Sequence, residues 1–457
     1  MYDAARRQAQ VARGVRHPMR IAFVSGNQEK LPDAVVPLGL LYVMASTPEQ
    51  HERTLIDLCF ERQPARVLAE RLRAFAPDLV ALGMRNIQGA DYAGVSNSLA
   101  YYGSLLEAAR GASRAPIVMG GPGFSVMPRE LMARLRPDFG ISGEAEGVFP
   151  ELCRALEAGG GLAGIGGLHW YDGDQLRSNA AREFLTMDGI ARPDRSLADP
   201  RYYERYGIES VQTKRGCPLR CDYCTYPIIE GRVGRARSPS AVVDEMFAAL
   251  EQHPGIRHFF IVDSVFNLPK THAKAVCREL TTRRWSVPWT CYANPLGFDR
   301  EMAELARAAG CAGMEVGSDS GCDEVLLRLK KGFTTAQVRA LHGHCAAVGV
   351  PDCHTFILGT LGETLDDVRR TLDFAVELDP WSAIFMLWVD DREAIDPALR
   401  AERDVMRARI AEVLRGYAAS RPTWAVPPLR INFDERLFSR LRRRGFHGPL
   451  WQHMRAF

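Results

Sequence analysis

The run Arg215-Gly216-Cys217-Pro218-Leu219-Arg220-Cys221-Asp222-Tyr223-Cys224 decides how the rest of this chain is read. Its cysteines are separated by three residues and then by two. Three thiolates on one short loop can hold three corners of a cubic iron–sulfur cluster, because cysteine sulfur ligates such clusters. The fourth iron is then left without a protein ligand and can take an exchangeable one. An open position on a redox-active metal points to chemistry rather than scaffolding. Two blander readings compete, a zinc site and a loop of free thiols. Zinc commonly takes four ligands, often from two separated C-x2-C pairs, and no second pair exists in the sequence.

Working outward, two series of alternating strands and helices flank this run. On the N-terminal side, strands are expected over 20–25, 54–60, 78–84, 115–119 and 139–142, with helices from 40, over 67–75, 96–109 and 148–156. Such alternation implies a parallel, doubly wound sheet, whose ligands lie beyond the carboxyl ends of its strands. On the C-terminal side, strands over 208–213, 258–262, 289–293, 313–316, 355–358 and 383–388 alternate with helices over 240–252, 270–283, 299–309, 335–348 and 365–378. These β-α units suit a partial (β/α)6 barrel of the TIM type, with chemistry at the carboxyl-terminal strand ends. The expected division is an N-terminal extension 1–18, an α/β domain 19–160, a linker 161–205 with a small hairpin, a partial barrel 206–395 and a small helical C-terminal domain 396–457. The last carries an apolar stripe of Met406, Ile410, Val413, Leu414 and Tyr417.

Composition sets the bounds. At 457 residues, two or three domains are expected, and 46% hydrophobic with 25% charged residues describes a soluble globular protein. A net charge of +3 gives no argument for nucleic acid or a membrane surface. Eleven scattered cysteines suit a reducing cytoplasm better than a disulfide framework. No apolar run approaches the roughly 20 residues that span a bilayer. Residues 1–18 hold several arginines and no long apolar stretch, so they are expected to be a polar extension rather than a secretory signal.

The cysteine spacing, with the aromatic Tyr223 before its last member, resembles the signature of the radical S-adenosylmethionine (SAM) superfamily. In that family the open iron of a [4Fe-4S] cluster chelates SAM, and one electron cleaves a C–S bond to give a 5′-deoxyadenosyl radical. A flavodoxin/Rossmann-like domain ahead of the barrel is similar to the cobalamin-dependent branch. Its marks are Val36-Pro37-Leu38-Gly39-Leu40, Arg85-Asn86-Ile87, Gly120-Gly121-Pro122-Gly123 and Gly143-Glu144-Ala145-Glu146, each following a strand. The resemblance implies that Gly120, Gly121, Gly123 and Ser125 flank the nucleotide tail of cobalamin, with Glu144 nearby. Many cobalamin domains place D-x-H-x-x-G after the first strand; here residues 25–33 hold no histidine, and only His17 and His51 precede residue 160. Cobalamin is therefore expected without a histidine lower ligand. Arg85 is the candidate for that face, since a permanent cation cannot coordinate cobalt. The alternative is a surface arginine paired with Asp91 or a glutamate.

Within the barrel, Asp263 and Ser264 occupy the family's place near the methionine amine of SAM. Glu315 and Ser318 lie in a segment similar to E-x-G-x-D-S-G, whose acids meet ribose hydroxyls or substrate, and Gly359 ends the strand that packs on adenine. Cys291 and Tyr292 stand at a strand end near the active face. The run Arg440, Arg442, Arg443, Arg444 is read as a solvated helix face.

The function implied is transfer of a methyl group from SAM through methylcobalamin to a carbon of a small-molecule or peptide natural product. An external electron donor such as flavodoxin or ferredoxin is expected, without nucleic-acid or membrane partners. A cobalamin-dependent rearrangement, cyclisation or oxidation is the alternative. Methylthiotransferases carry a second three-cysteine cluster in the preceding domain, and only Cys59 and Cys153 lie there. A plain iron–sulfur electron carrier would need neither the open iron nor the barrel.

Overall fold

A computed structural model describes residues 18–87 and 98–456. Asp91 and nearly all of the N-terminal extension fall outside them. The first sheet begins with β1 (Arg20–Ser25), whose residues from Ile21 onward are all buried, as a central parallel strand requires. Helix α1 (Leu38–Ser46), β2 (Glu52–Asp57), α2 (Pro64–Phe75), β3 (Leu79–Gly83), α3 (Ser98–Ala112) and β4 (Ile117–Gly120) follow. Short α4 (Pro122–Val126), α5 (Pro128–Leu135), β5 (Phe139–Ile141) and α6 (Ala145–Ala158) complete the α/β series. The strand order is β2-β1-β3-β4-β5, parallel throughout, and two further strands extend it.

Those two strands correct the expected linker. β6 (Leu168–Asp172) pairs antiparallel with β5, and β7 (Gln175–Ser178) pairs with β6, so the hairpin belongs to the first sheet. β5 is only three residues long, and the hairpin covers what would otherwise be an open edge. The following segment is equally structural. Arg195 is buried on Glu209 and Glu245, at 3.2 and 2.7 Å, and the Tyr202 hydroxyl donates to Asp57 at 2.9 Å. Helix α7 (Arg201–Arg205) leads into the second sheet.

That sheet comprises β8 (Ile208–Val211), β11 (His258–Ile261), β12 (Trp289–Ala293), β13 (Cys311–Asp319), β14 (Asp352–Leu358) and β15 (Ser382–Leu387), all parallel and in that order. Helices α9 (Pro239–Gln252), α10 (Lys270–Thr282), α11 (Arg300–Ala308), α13 (Thr335–Val348) and α14 (Leu365–Leu378) separate them. Between β8 and α9 the chain makes an excursion bounded by β9 (Lys214–Arg215) and β10 (Arg235–Ala236), an antiparallel pair enclosing α8 (Tyr226–Glu230). Short α12 (Asp323–Arg328) follows β13.

The C-terminal residues do not form the separate domain expected of them. Helix α15 (Pro397–Ala418) buries Ile410 and Leu414 in one cluster with Val368, Leu372 and Ala375 of α14. β16 (Trp424–Ala425) then adds a seventh parallel strand beside β15. Past α16 (Glu435–Arg443), a 3-10 helix at Leu450–Ala456 packs beneath the sheet, where Trp451 lies against Gly313. A tail with so little apolar surface of its own is stable only when it is laid on a larger body.

Candidate active site

The three cysteines lie in the β9–β10 excursion, on the loop that leaves the carboxyl end of the second sheet's first strand. Gly216 begins it at φ +86°, where a Cβ would run into the Val233 carbonyl, so only glycine lets the two limbs of the excursion approach. Cys217 is buried, while Cys221 and Cys224 are half-buried. Burial pushes the Cys224 thiol up to about 11, so it is protonated at neutral pH unless a metal replaces the proton. Among the described residues, the group of three metal-ligating side chains with ligand atoms within 4.8 Å of one another is His342, Asp352 and His354.

Charged side chains fasten this loop from three directions. The first is beneath it. Lys214 is buried, and its Nζ donates to Asp263 at 2.9 Å and to the Phe266 carbonyl at 3.1 Å; the Thr213 N–H donates to the other Asp263 oxygen at 2.7 Å. Asp263, expected at the SAM amine, is wholly buried and committed to these donors. Its neighbour Ser264 keeps its hydroxyl 3.5 Å from the Gly216 carbonyl, at the loop itself.

The second fastening crosses between the sheets. Arg215 is buried, donating to Glu146 at 2.6 Å and standing 3.4 Å from Glu144. Glu144 also accepts two N–H groups of Arg235, at 2.7 and 3.0 Å, and the Leu185 N–H at 3.0 Å. Glu144, expected as a cofactor contact, braces the two sheets in this structure. A buried arginine needs a carboxylate, and Glu144 at the cap and Glu146 in the first turn of α6 supply two.

The third comes from the segment after α12. The Tyr223 hydroxyl donates to Asp319, and Lys331 stands 2.5 Å from the same carboxylate and donates to the Tyr223 oxygen at 3.1 Å. Ser318 beside Asp319, expected as a cofactor contact, is fully buried with its hydroxyl 2.7 Å from His354 Nδ1. His354 Nε2 and His342 Nδ1 both donate to Asp352, at 2.9 and 2.7 Å. That His–Asp–His group sits at the start of β14, the end remote from the cysteines.

Glu315 is different. One oxygen accepts the Trp451 indole N–H at 2.8 Å, and the side chain is otherwise partly open. Burial pushes its carboxyl up to about 7, with the Trp451 bond opposing and the Asp33 charge adding. Tyr292 is its register partner on β12 and stacks edge-on against Phe260, centroids 4.9 Å apart. Tyr226, two residues past Cys224, and Tyr292 each keep 37% of their surface accessible, yet burial raises both phenols. That combination describes side chains lining a cleft inside the protein. Cys291, by contrast, is buried, as are Cys277, Cys311, Cys322, Cys345 and Cys353.

Across the cleft lie the strand ends of the first sheet. Arg85 is 41% accessible, its Nη1 3.2 Å from Glu29, so the pairing with a glutamate is realised there. Its charge acts on Tyr226 and Tyr292, opposing the burial that raises both phenols. Gly121 (φ +99°) and Gly123 are required by a close approach to the backbone of Met84–Asn86, and the Gly123 N–H donates to the Met84 carbonyl at 3.0 Å. Gly120 has only ordinary contacts, and Ser125 joins neighbouring loops by donating to the Gly121 carbonyl and accepting from the Gly143 N–H. His51 stands at the far end of this sheet, accepting from the Met19 N–H at 3.2 Å. Gly359, at φ +83°, ends β14 with its N–H on Glu363 at 2.7 Å. Arg442, expected on a solvated face, is tucked against Asp33, while Arg440, Arg443 and Arg444 are exposed.

Two family comparisons meet this geometry from either side. Residues 211–375 match the radical SAM superfamily, and residues 28–153 match the B12 binding domain. The chain carries both domains that cobalamin-dependent radical SAM enzymes combine, a B12 binding domain followed by a radical SAM domain. The tryptophan 2-C-methyltransferase of Streptomyces laurentii is 29% identical over 424 residues, spanning 79% of this chain and 70% of that protein. An uncharacterized methyltransferase of Pyrococcus horikoshii is also 29% identical, over 75% of this chain and 73% of its own length. Among solved structures, the radical SAM methyltransferase TsrM from Kitasatospora setae, with cobalamin and a [4Fe-4S] cluster bound, superposes with TM-score 0.71 at 28% identity, covering 80% of this chain and 74% of that one. The cobalamin-dependent enzyme OxsB shares the fold, at TM-score 0.67 and 17% identity over 84% of this chain and 56% of its own. Among the described residues, no helix is long and apolar enough to cross a membrane.

Proposed function

We propose that the enzyme methylates a carbon centre of a small organic substrate held between the two strand-end surfaces. The observation that carries this is the shared cleft: the cysteine loop, Tyr226, Tyr292 and Glu315 on one wall and Arg85 on the other. Cys217, Cys221 and Cys224 would hold the cluster, Ser264 and Gly359 stand where SAM would be received, and the loops at 85–87 and 120–125 would receive cobalamin without a histidine beneath it. Bound together, these cofactors supply an electron, a sulfonium methyl donor and a carrier able to pass the methyl group on.

The chain's own residues prepare the place. Arg85 offers a fixed positive charge that cannot coordinate metal and discourages a lower ligand. Tyr226, Tyr292 and Phe260 give the cleft aromatic walls, and Glu315 places a carboxyl among them that is close to half-ionised at neutral pH. An aromatic amino acid matches that lining, and tryptophan, bound by TsrM in a solved complex, is the first compound to try. The setting proposed is the cytoplasm, with a flavodoxin or ferredoxin as electron donor.

Anaerobic reconstitution with iron, sulfide and cobalamin, followed by incubation with SAM and candidate substrates, tests the reading. The expected product gains the mass of one methylene, with S-adenosylhomocysteine formed alongside. Formation of 5′-deoxyadenosine marks the radical route, and its absence with methylation intact marks a polar one. A transformed product without that mass gain would overturn methylation in favour of rearrangement or oxidation.

A further inference from the structure

Lys331 is 4% exposed, and its charge is not part of any SAM or cobalamin contact described above. It follows α12 in the run Leu329-Lys330-Lys331-Gly332, which grips the cysteine loop at successive points. The Asp222 N–H donates to the Leu329 carbonyl at 3.0 Å, Lys330 pairs with Asp222 at 2.7 Å, and Tyr223 packs on the small cluster of Cys322, Val325 and Leu329. Lys331 completes the clasp: 2.5 Å from Asp319, 3.1 Å from the Tyr223 hydroxyl, and over the rings of Tyr223 and Phe333 at 5.4 and 5.5 Å. Both Asp319 (φ +60°) and Lys330 (φ +54°) are non-glycine residues in the left-handed region. Such conformations persist only where the surroundings enforce them, and they gather at working sites.

The ammonium therefore has a fixed address beside the loop, held between the Asp319 carboxylate and the hydroxyl of Tyr223, the residue before Cys224. We propose that Lys331 is a positioning residue of the cysteine loop whose buried positive charge raises the reduction potential of the cluster held there. The reason is electrostatic. Reduction adds one negative charge to the cluster, and a nearby cation in a low-dielectric setting stabilises the reduced form more than the oxidised one. The inference rests on Cys217, Cys221 and Cys224 being cluster ligands.

The test uses the full chain, anaerobically reconstituted, as wild type and as Lys331→Met, Lys331→Arg, Tyr223→Phe and Asp319→Asn. Iron and sulfide are counted, and one-electron reduction by dithionite with mediators is followed by electron paramagnetic resonance. Lys331→Met is expected to keep its iron while its reduced-to-oxidised ratio at fixed potential falls about tenfold, which is 59 mV for a one-electron couple. Lys331→Arg restores the ratio, and Tyr223→Phe, which keeps the charge, leaves it within about twofold. Asp319→Asn removes the counter-charge and raises it, so the sign remains testable if Lys331→Met does not fold. Equal ratios in iron-replete wild type and Lys331→Met, or no rise in Asp319→Asn, overturn the proposal. A wild type that binds no iron overturns the cluster reading beneath it.

Discussion

The two walls of the cleft are built by different means. On the first sheet, the loops after β3, β4 and β5 hold one another through close backbone approach and one hydroxyl: Gly121 and Gly123 against Met84–Asn86, and the Ser125 side chain between Gly121 and Gly143. On the barrel side, buried charges hold the cysteine loop, with Lys214 on Asp263, Arg215 on Glu146 and Lys331 on Asp319. A loop that carries reactive ligands must keep its shape with few apolar contacts of its own, and directional ion pairs supply that where packing cannot. A loop that only flanks a flat ligand needs close approach, for which glycine suffices.

The sharpest break of this contrast comes at the ligands. Cys217→Ala is expected to abolish methyl transfer and to lower the iron count, while circular dichroism shows the fold retained. Next is the brace between walls. Arg215→Ala leaves Glu146 buried without its partner, a loss of about 3–5 kcal/mol in chemical denaturation. On the glycine wall, Gly121→Ala places a Cβ against the Met84 carbonyl at a left-handed φ, and about 1–3 kcal/mol should be lost, with weakened cobalamin retention seen in the visible spectrum.

Glu315 sharpens the comparison through pH. Its folded carboxyl is held up to about 7 against an ordinary 4.5, mainly by burial. The folded state keeps the proton longer than the unfolded one, so the protein is most favoured by this group below pH 4.5 and loses that advantage as pH rises towards 7. Glu315→Gln should flatten the stability profile across that window by about 2 kcal/mol, after discounting for the side chain's opening to the cleft. The smallest effect on stability belongs to Arg85→Ala. Its partly exposed pair with Glu29 contributes at most about 1 kcal/mol, yet the spectrum of bound cobalamin should change if Arg85 lies on the lower face.

Much of this was legible from residues alone, and the misses share a cause. Strand and helix periodicity located both α/β series to within a few residues, because apolar spacing is local. Ser318 and Asp263 sit in motifs that promise ligand contact, but their partners, His354 and Lys214, are set by packing across neighbouring strands. The role of 161–205 was hidden because its anchors are Arg195 and Tyr202, polar residues that become interior only when carboxylates from elsewhere meet them. Arg442 and Trp451 were hidden likewise, as their partners Asp33 and Glu315 lie far back in the chain.

By itself, the order of residues determined that three thiolates share one short loop and that a doubly wound sheet precedes a barrel. Both follow from spacing along the backbone. Only the tertiary structure decided which charged groups face the cleft and which fasten its walls. A buried charge is tolerated solely where its counter-charge arrives, and that meeting is arranged across distances no local pattern records.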